Sequence, residues 1–121
     1  MDMQPLPASD SAAQLCALRY RAVSSEADPT SGFVVLLAIK RGQDIRFYVP
    51  PGWQEQISSS DWDYVDDLLR DLVKRARNQS EEVFEQLSHL SVGPIVTDHT
   101  RTVDLRALRI DELYPGFCVF G

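Results

Sequence analysis

The sequence predicts an α+β fold: an antiparallel sheet of three or more strands packed on two consecutive helices, in the order β-β-β-α-α, followed by short C-terminal strands. Three observations lead there. Stretches 61–77 and 80–90 repeat apolar residues every three or four positions, the spacing of one helix face. Stretches 14–23, 33–39 and 45–49 instead alternate or run apolar over strand lengths. Between the two groups stands Pro50-Pro51-Gly52, which ends a sheet because proline has no N–H to give to a ladder.

Each element has its own warrant. In 14–23, Cys16, Leu18, Tyr20 and Ala22 alternate with Ala17, Arg19 and Arg21, so we expect a strand with one buried face. Its Ala, Leu and Arg content makes a helix over 12–21 the competing reading. Phe33-Val34-Val35-Leu36-Leu37-Ala38-Ile39 is apolar on both faces, as a central strand covered on both sides would be. A tight connection at 40–44, with Gly42 free to take a positive φ, leads to Ile45-Arg46-Phe47-Tyr48-Val49 as a hairpin partner. The expected inner face holds Leu18 and Tyr20, then Phe33, Val35, Leu37 and Ile39, then Ile45, Phe47 and Val49. The other face then shows Arg19, Arg21, Val34, Leu36, Arg46 and Tyr48, and either the C-terminal segment or another chain must cover its apolar middle.

The helix over 61–77 places Trp62, Val65, Leu69, Leu72 and Ala76 on one stripe, flanked by Leu68 and Val73. Ser60 is its expected cap, with Asp63 three residues on. The segment from Asn78 restarts the pattern with Val83, Phe84, Leu87 and Leu90, ending before Gly93 and Pro94. Further on, Ile95-Val96 suggests a short strand, 97–100 a turn and 102–107 another strand, with a short helix over 105–113 capped by Asp104 as the alternative. Pro115-Gly116 marks a turn and 117–120 a final strand, which should be docked. Residues 1–11, with Pro5 and Pro7, read as a loose tail, and the whole of 1–121 as a single domain.

Composition narrows the class. The 44% apolar and 25% charged fractions are ordinary for a globular protein. The longest apolar run is far too short to cross a bilayer, and the N-terminus has neither a basic nor an apolar leader, so a cytoplasmic protein is expected. Cys16 and Cys118 are then reduced thiols, buried as small hydrophobes. The chain is acidic, with net charge −6, which makes nucleic acid or an anionic membrane an unlikely partner. The charge is uneven: residues 51–92 hold nine acids and four bases, whereas 14–49 hold five bases and three acids.

Few residues suggest chemistry. Asp98-His99 pairs a carboxylate with an imidazole, the elements of an oriented base or a metal ligand. These two are the candidate catalytic residues of an alternative reading, a small hydrolase or metal-assisted enzyme. The spacing offers no further ligands, so no metal and no cofactor are expected. His89 falls in the last turn of the second helix, where a cation favours the dipole. Asp61, Asp63, Asp66, Asp67 and Asp71 read as a solvated helix face. Arg19, Arg21, Arg46 and Tyr48 allow a second alternative, nucleic-acid binding on the basic sheet face. The primary expectation is a non-enzymatic module for protein–protein interaction or self-association, partnered by itself as a homodimer or by another protein. Its expected interface is Val34, Leu36, Arg19, Arg21, Arg46 and Tyr48.

Overall fold

The computed structural model describes residues 12–21 and 32–120. The expected tail at 1–11 and the end of the first strand at Ala22 and Val23 lie outside these described residues. Strands β1 (Ala12–Tyr20), β2 (Phe33–Arg41) and β3 (Asp44–Val49) come first. Then follow helices α1 (Trp53–Gln56), α2 (Trp62–Ala76) and α3 (Ser80–Ser88), strands β4 (Ser91–Val92) and β5 (Ile95–Asp104), helix α4 (Ile110–Leu113) and strand β6 (Cys118–Val119). The six strands form one antiparallel sheet in the order β4-β5-β1-β2-β3-β6. The α+β class and the strand–helix order are as expected, and β1 is a strand rather than the competing helix. No helix among the described residues is long and apolar enough to cross a membrane.

The central strand alternates without a break. Cys16, Leu18 and Tyr20 join the helix-side core, while Ala13, Leu15 and Ala17 join the core on the other face. Both neighbours of β1 slip by one residue beside Leu18. On β2, Leu18 pairs with Leu36 and Arg19 with Val34, so Val35 is an extra residue. On β5, Ala17 pairs with His99 and Leu18 with Thr97, so Asp98 is extra. Each slip is a β-bulge, which shifts the alternation of everything beyond it.

The β2 bulge corrects the expected faces. Phe33, Val35, Leu36 and Ala38 pack on the helix side, whereas Val34, Leu37 and Ile39 face outward. A strict period of two had sent Leu37 and Ile39 inward and Leu36 outward. Leu36 is instead fully buried against the helices.

Helix α2 buries Val65, Leu69, Leu72 and Ala76, and α3 buries Val83, Phe84 and Leu87, as the spacing predicts. Each such side chain contributes about 1.5–3 kcal/mol when fully buried. Trp62 departs from its stripe: it sits in the first turn and is 41% exposed. Nor does Ser60 cap α2. Asp61 occupies the cap position without a side-chain bond to the helix, and its Oδ2 accepts the Tyr20 hydroxyl at 2.7 Å. Tyr20 in turn accepts the Ser58 N–H at 3.0 Å, which ties the helix entry to the sheet.

The C-terminal third differs most from expectation. Residues 95–104 form one strand, not a strand, turn and second strand. The polar run 97–100 looks like a turn in sequence because β5 lies near a sheet edge, where polar residues meet water on one face. Gly93, at φ 58°, turns the β4–β5 hairpin rather than ending the preceding helix. After Asp104, residues 105–117 cross the outward face. Val103, Leu105, Leu108, Ile110, Tyr114 and Phe117 pack over Ala13, Leu15, Ala17, Leu37 and Ile39. Ala13 and Ala17 are small, which lets this strap approach the sheet closely.

Cys16 is buried and Cys118 is exposed, so only one of the two matches the expected burial. Burial pushes the Cys16 thiol up to about 12. Three strand spacings separate β1 from β6, about 14 Å, well beyond the span of a disulfide.

The bulge makes a testable distinction. Leu36→Ala should cost about 2–5 kcal/mol of unfolding free energy in urea, because it opens a cavity under α2 and α3. Val34→Ala, half-buried beneath the strap, should cost roughly 1 kcal/mol.

Candidate functional site

Three places hold the expected functional residues or an unfilled surface: the β5 bulge, the outward face and the free end of β3.

The β5 bulge sends Thr97 inward and leaves both Asp98 and His99 on the outward face. Thr97 Oγ1 accepts the Leu90 N–H at 2.8 Å and donates to the Leu87 carbonyl. Its hydroxyl is thus committed to the end of α3. Outside, Asp98 Oδ1 accepts from Arg19 Nε at 2.9 Å and Oδ2 lies 2.7 Å from His99 Nδ1. Arg19 also donates to the Gly32 carbonyl at 3.4 Å. Partial burial raises the Asp98 pKa. The hydrogen bonds and charges of Arg19 and His99 outweigh that and hold the carboxyl below the ordinary range. A carboxylate at Oδ2 favours the proton on Nδ1 of His99 and leaves Nε2 as the basic nitrogen. The expected Asp98–His99 pair therefore exists, and it is an oriented imidazole held in a strand rather than a turn. Among the described residues no group of three His, Cys, Asp or Glu side chains converges to hold a metal ion.

The expected interface residues scatter. Leu36 is buried on the helix side, and Val34 and Tyr48 lie half-buried under the strap. Arg19 is engaged by Asp98. Arg21 lies at the end of β1 and gives its N–H to the Pro94 carbonyl at 2.8 Å. Arg46 is level with Ile39 and Leu15 in the ladder, four residues and two strands from Arg19. That is about 13 Å along the strands and 10 Å across them, with the strap between. These arginines thus form no continuous basic track.

Two of the helix acids pair along α2. Asp66 pairs with Arg70 at 3.0 Å and Asp71 with Arg75 at 2.9 Å, each one helical turn apart. His89 forms the cap residue of α3 and lies 3.3 Å from Glu85, with both side chains 76% exposed.

At the other edge of the sheet, β6 covers β3 only in part. Tyr48 pairs with Val119 and Val49 with Cys118, and Phe47 accepts the Phe120 N–H at 2.8 Å. Phe120 is anchored edge-on against Trp53, with ring centres 6.2 Å apart, and lies beneath the Arg70 guanidinium. Asp44, Ile45 and Arg46 have no strand beyond them among the described residues. Beside them opens a cleft of about 320 Å³, lined by Ile45, Phe47, Val73, Ala76 and Phe120, with Asp44, Arg46 and Arg77 at its rim. Sequence reasoning missed this place. The available signal was a strand carrying opposite charges, Asp44 and Arg46, two residues apart on one face.

Compared with family models, curated proteins and solved structures, the chain matches none of them.

The Asp98 contacts predict a pH dependence. A folded pKa below the unfolded value gives stability that is present above about pH 4 and is lost as pH falls through the folded value. Asp98→Asn should therefore lower stability at pH 7 by less than about 1 kcal/mol, as for a partly exposed pair. The gap to the wild type should close as denaturation is measured at progressively lower pH.

Proposed function

We propose that the protein is a non-enzymatic interaction module that accepts a strand from a second chain, in the first place a copy of itself, at an open edge of its sheet. The observation that carries this reading is the outer edge of β3, where Asp44 and Ile45 have no strand beside them among the described residues. Unpaired N–H and C=O groups along a strand edge are templates for another strand. The two faces of the sheet offer less. Helices α2 and α3 cover one, and residues 103–117 cover the apolar middle of the other. A dimer built on the outward face thus loses its apolar motive, since Leu36 has no exposed surface and Val34 and Tyr48 lie under the strap. Of the expected interface residues, this reading retains Arg46. Exposed Val119, 66% accessible in β6, adds apolar area beside the open edge. We also propose a cytoplasmic location, supported by two cysteines that remain unpaired.

Sedimentation velocity over a concentration series tests the reading. The expected result is a concentration-dependent shift from 13.7 kDa toward twice that mass. A single species of 13.7 kDa throughout would remove self-association.

A further inference from the structure

We propose that the cleft between β3 and the strap binds a small carboxylic acid with an apolar body, the carboxylate on Arg46 and the body on Ile39, Leu105 and Ile110. The site lies on the outward face rather than at an edge. It is separate from the self-association reading and stands or falls without it.

The strand register builds this cleft. Residues directly opposite one another in an antiparallel pair share a face. Leu37 and Ile39 face outward, and they pair with Tyr48 and Arg46. At the next outward position Arg41 pairs with Asp44. The hairpin end of the outward face therefore carries apolar Ile39 beside three charged residues. Gln14 pairs with Lys40 and Ala12 with Asp104, so β5 ends and the strap begins at this same end of the sheet. Leu105 and Ile110 of the strap pack on the core that holds Leu37 and Ile39, but the strap does not close over the hairpin. A cleft of about 260 Å³ remains there, lined by Ile39, Arg41, Asp44, Arg46, Tyr48, Leu105 and Ile110.

The lining is of two kinds. Ile39 is buried, and Tyr48, Leu105 and Ile110 are half-buried, which gives the cleft an apolar floor and wall. Arg41, Asp44 and Arg46 are exposed. An apolar concave surface with a few convergent polar groups is the general form of a small-molecule site. The volume falls below the usual range for a drug-sized ligand, so the cleft selects a smaller one and leaves no room for a peptide.

The charges select the head group. Two guanidiniums and one carboxylate line the cleft and sum to +1. Asp44 stands directly opposite Arg41, and facing charges of opposite sign stabilise one another. Arg46 faces Ile39 instead and forms no ion pair among the described residues. The surplus positive charge thus lies on Arg46, next to the apolar floor. A carboxylate meets a guanidinium through two parallel hydrogen bonds and carries one negative charge. A phosphate monoester carries nearly two and would press the second against Asp44. A cation would face two guanidiniums.

NMR titration of the full chain with 3-phenylpropionate tests the site, with the neutral 3-phenylpropionamide as control. The acid should shift the methyl signals of Ile39, Leu105 and Ile110 saturably, with a Kd of about 1 mM. The amide should bind at least about tenfold more weakly. Arg46→Gln should remove this preference for the acid. Asp44→Asn removes a carboxylate that repels the ligand and should tighten the acid about threefold, a gain that a misfolded variant would not show. Thermal melts check that both variants fold as the wild type does. Equal binding of acid and amide would overturn the proposal, as would an acid preference that survives Arg46→Gln or an acid affinity that Asp44→Asn leaves unchanged. Shifts confined to other residues, or no saturable shift up to roughly 10 mM acid, would overturn it as well.

Discussion

Leu18 stands between two β-bulges, and the rest of the molecule follows from them. Val35 on one side and Asp98 on the other are the extra residues, and each resets which side chains face the helices. Without the slip at Val35, Leu37 and Ile39 would lie under α2 and α3, and Leu36 and Ala38 would face outward. With it, Leu36 enters the helix-side core and Leu37 the outer one, and both are completely buried. Without the slip at Asp98, Thr97 and His99 would share a face. With it, Thr97 ties β5 to the end of α3 while Asp98 and His99 stay outside with Arg19.

A sheet with two apolar faces needs two covers. The helices provide the first by their regular stripe. The second is an irregular strap of half-buried side chains, seated on the small residues Ala13 and Ala17. Because both faces are closed within one chain, the remaining unsatisfied groups are at the edges. The β5 edge is long but guarded by charge and by its bulge. The β3 edge is short and opens beside an apolar cleft. On the helix layer Asp66 and Asp71 pair with Arg70 and Arg75 one turn away, and the arginines of the sheet are distributed along it.

The regular elements were legible in the sequence. Spacing located β1, β3, α2 and α3, because each obeys one period over five or more residues, and an unbroken apolar run located β2. The bulges were not legible. A run such as Phe33 to Ile39 is apolar at every position, so nothing in its pattern marks where the phase changes. β5 was obscured for the opposite reason: its polar residues fit an edge strand and a turn equally well. The Asp98–His99 pair is legible because the two residues are adjacent, although their polar neighbours predict a turn where the structure has a strand. The β3 edge was missed because its significance depends on where β6 ends, a tertiary fact. The Trp62 stripe position failed for a simpler cause, since the first turn of a helix overhangs the core it covers.

The account holds that this chain closes both faces of its sheet by itself and meets a second copy only along the edge. Isotope-filtered NMR on an equal mixture of labelled and unlabelled chains reads contacts between copies directly. The account predicts between-chain nuclear Overhauser effects along the outer edge of β3, at Asp44 and Ile45. Between-chain contacts arising instead from Val34, Tyr48 and the strap, or from the outer surfaces of α2 and α3, would contradict it.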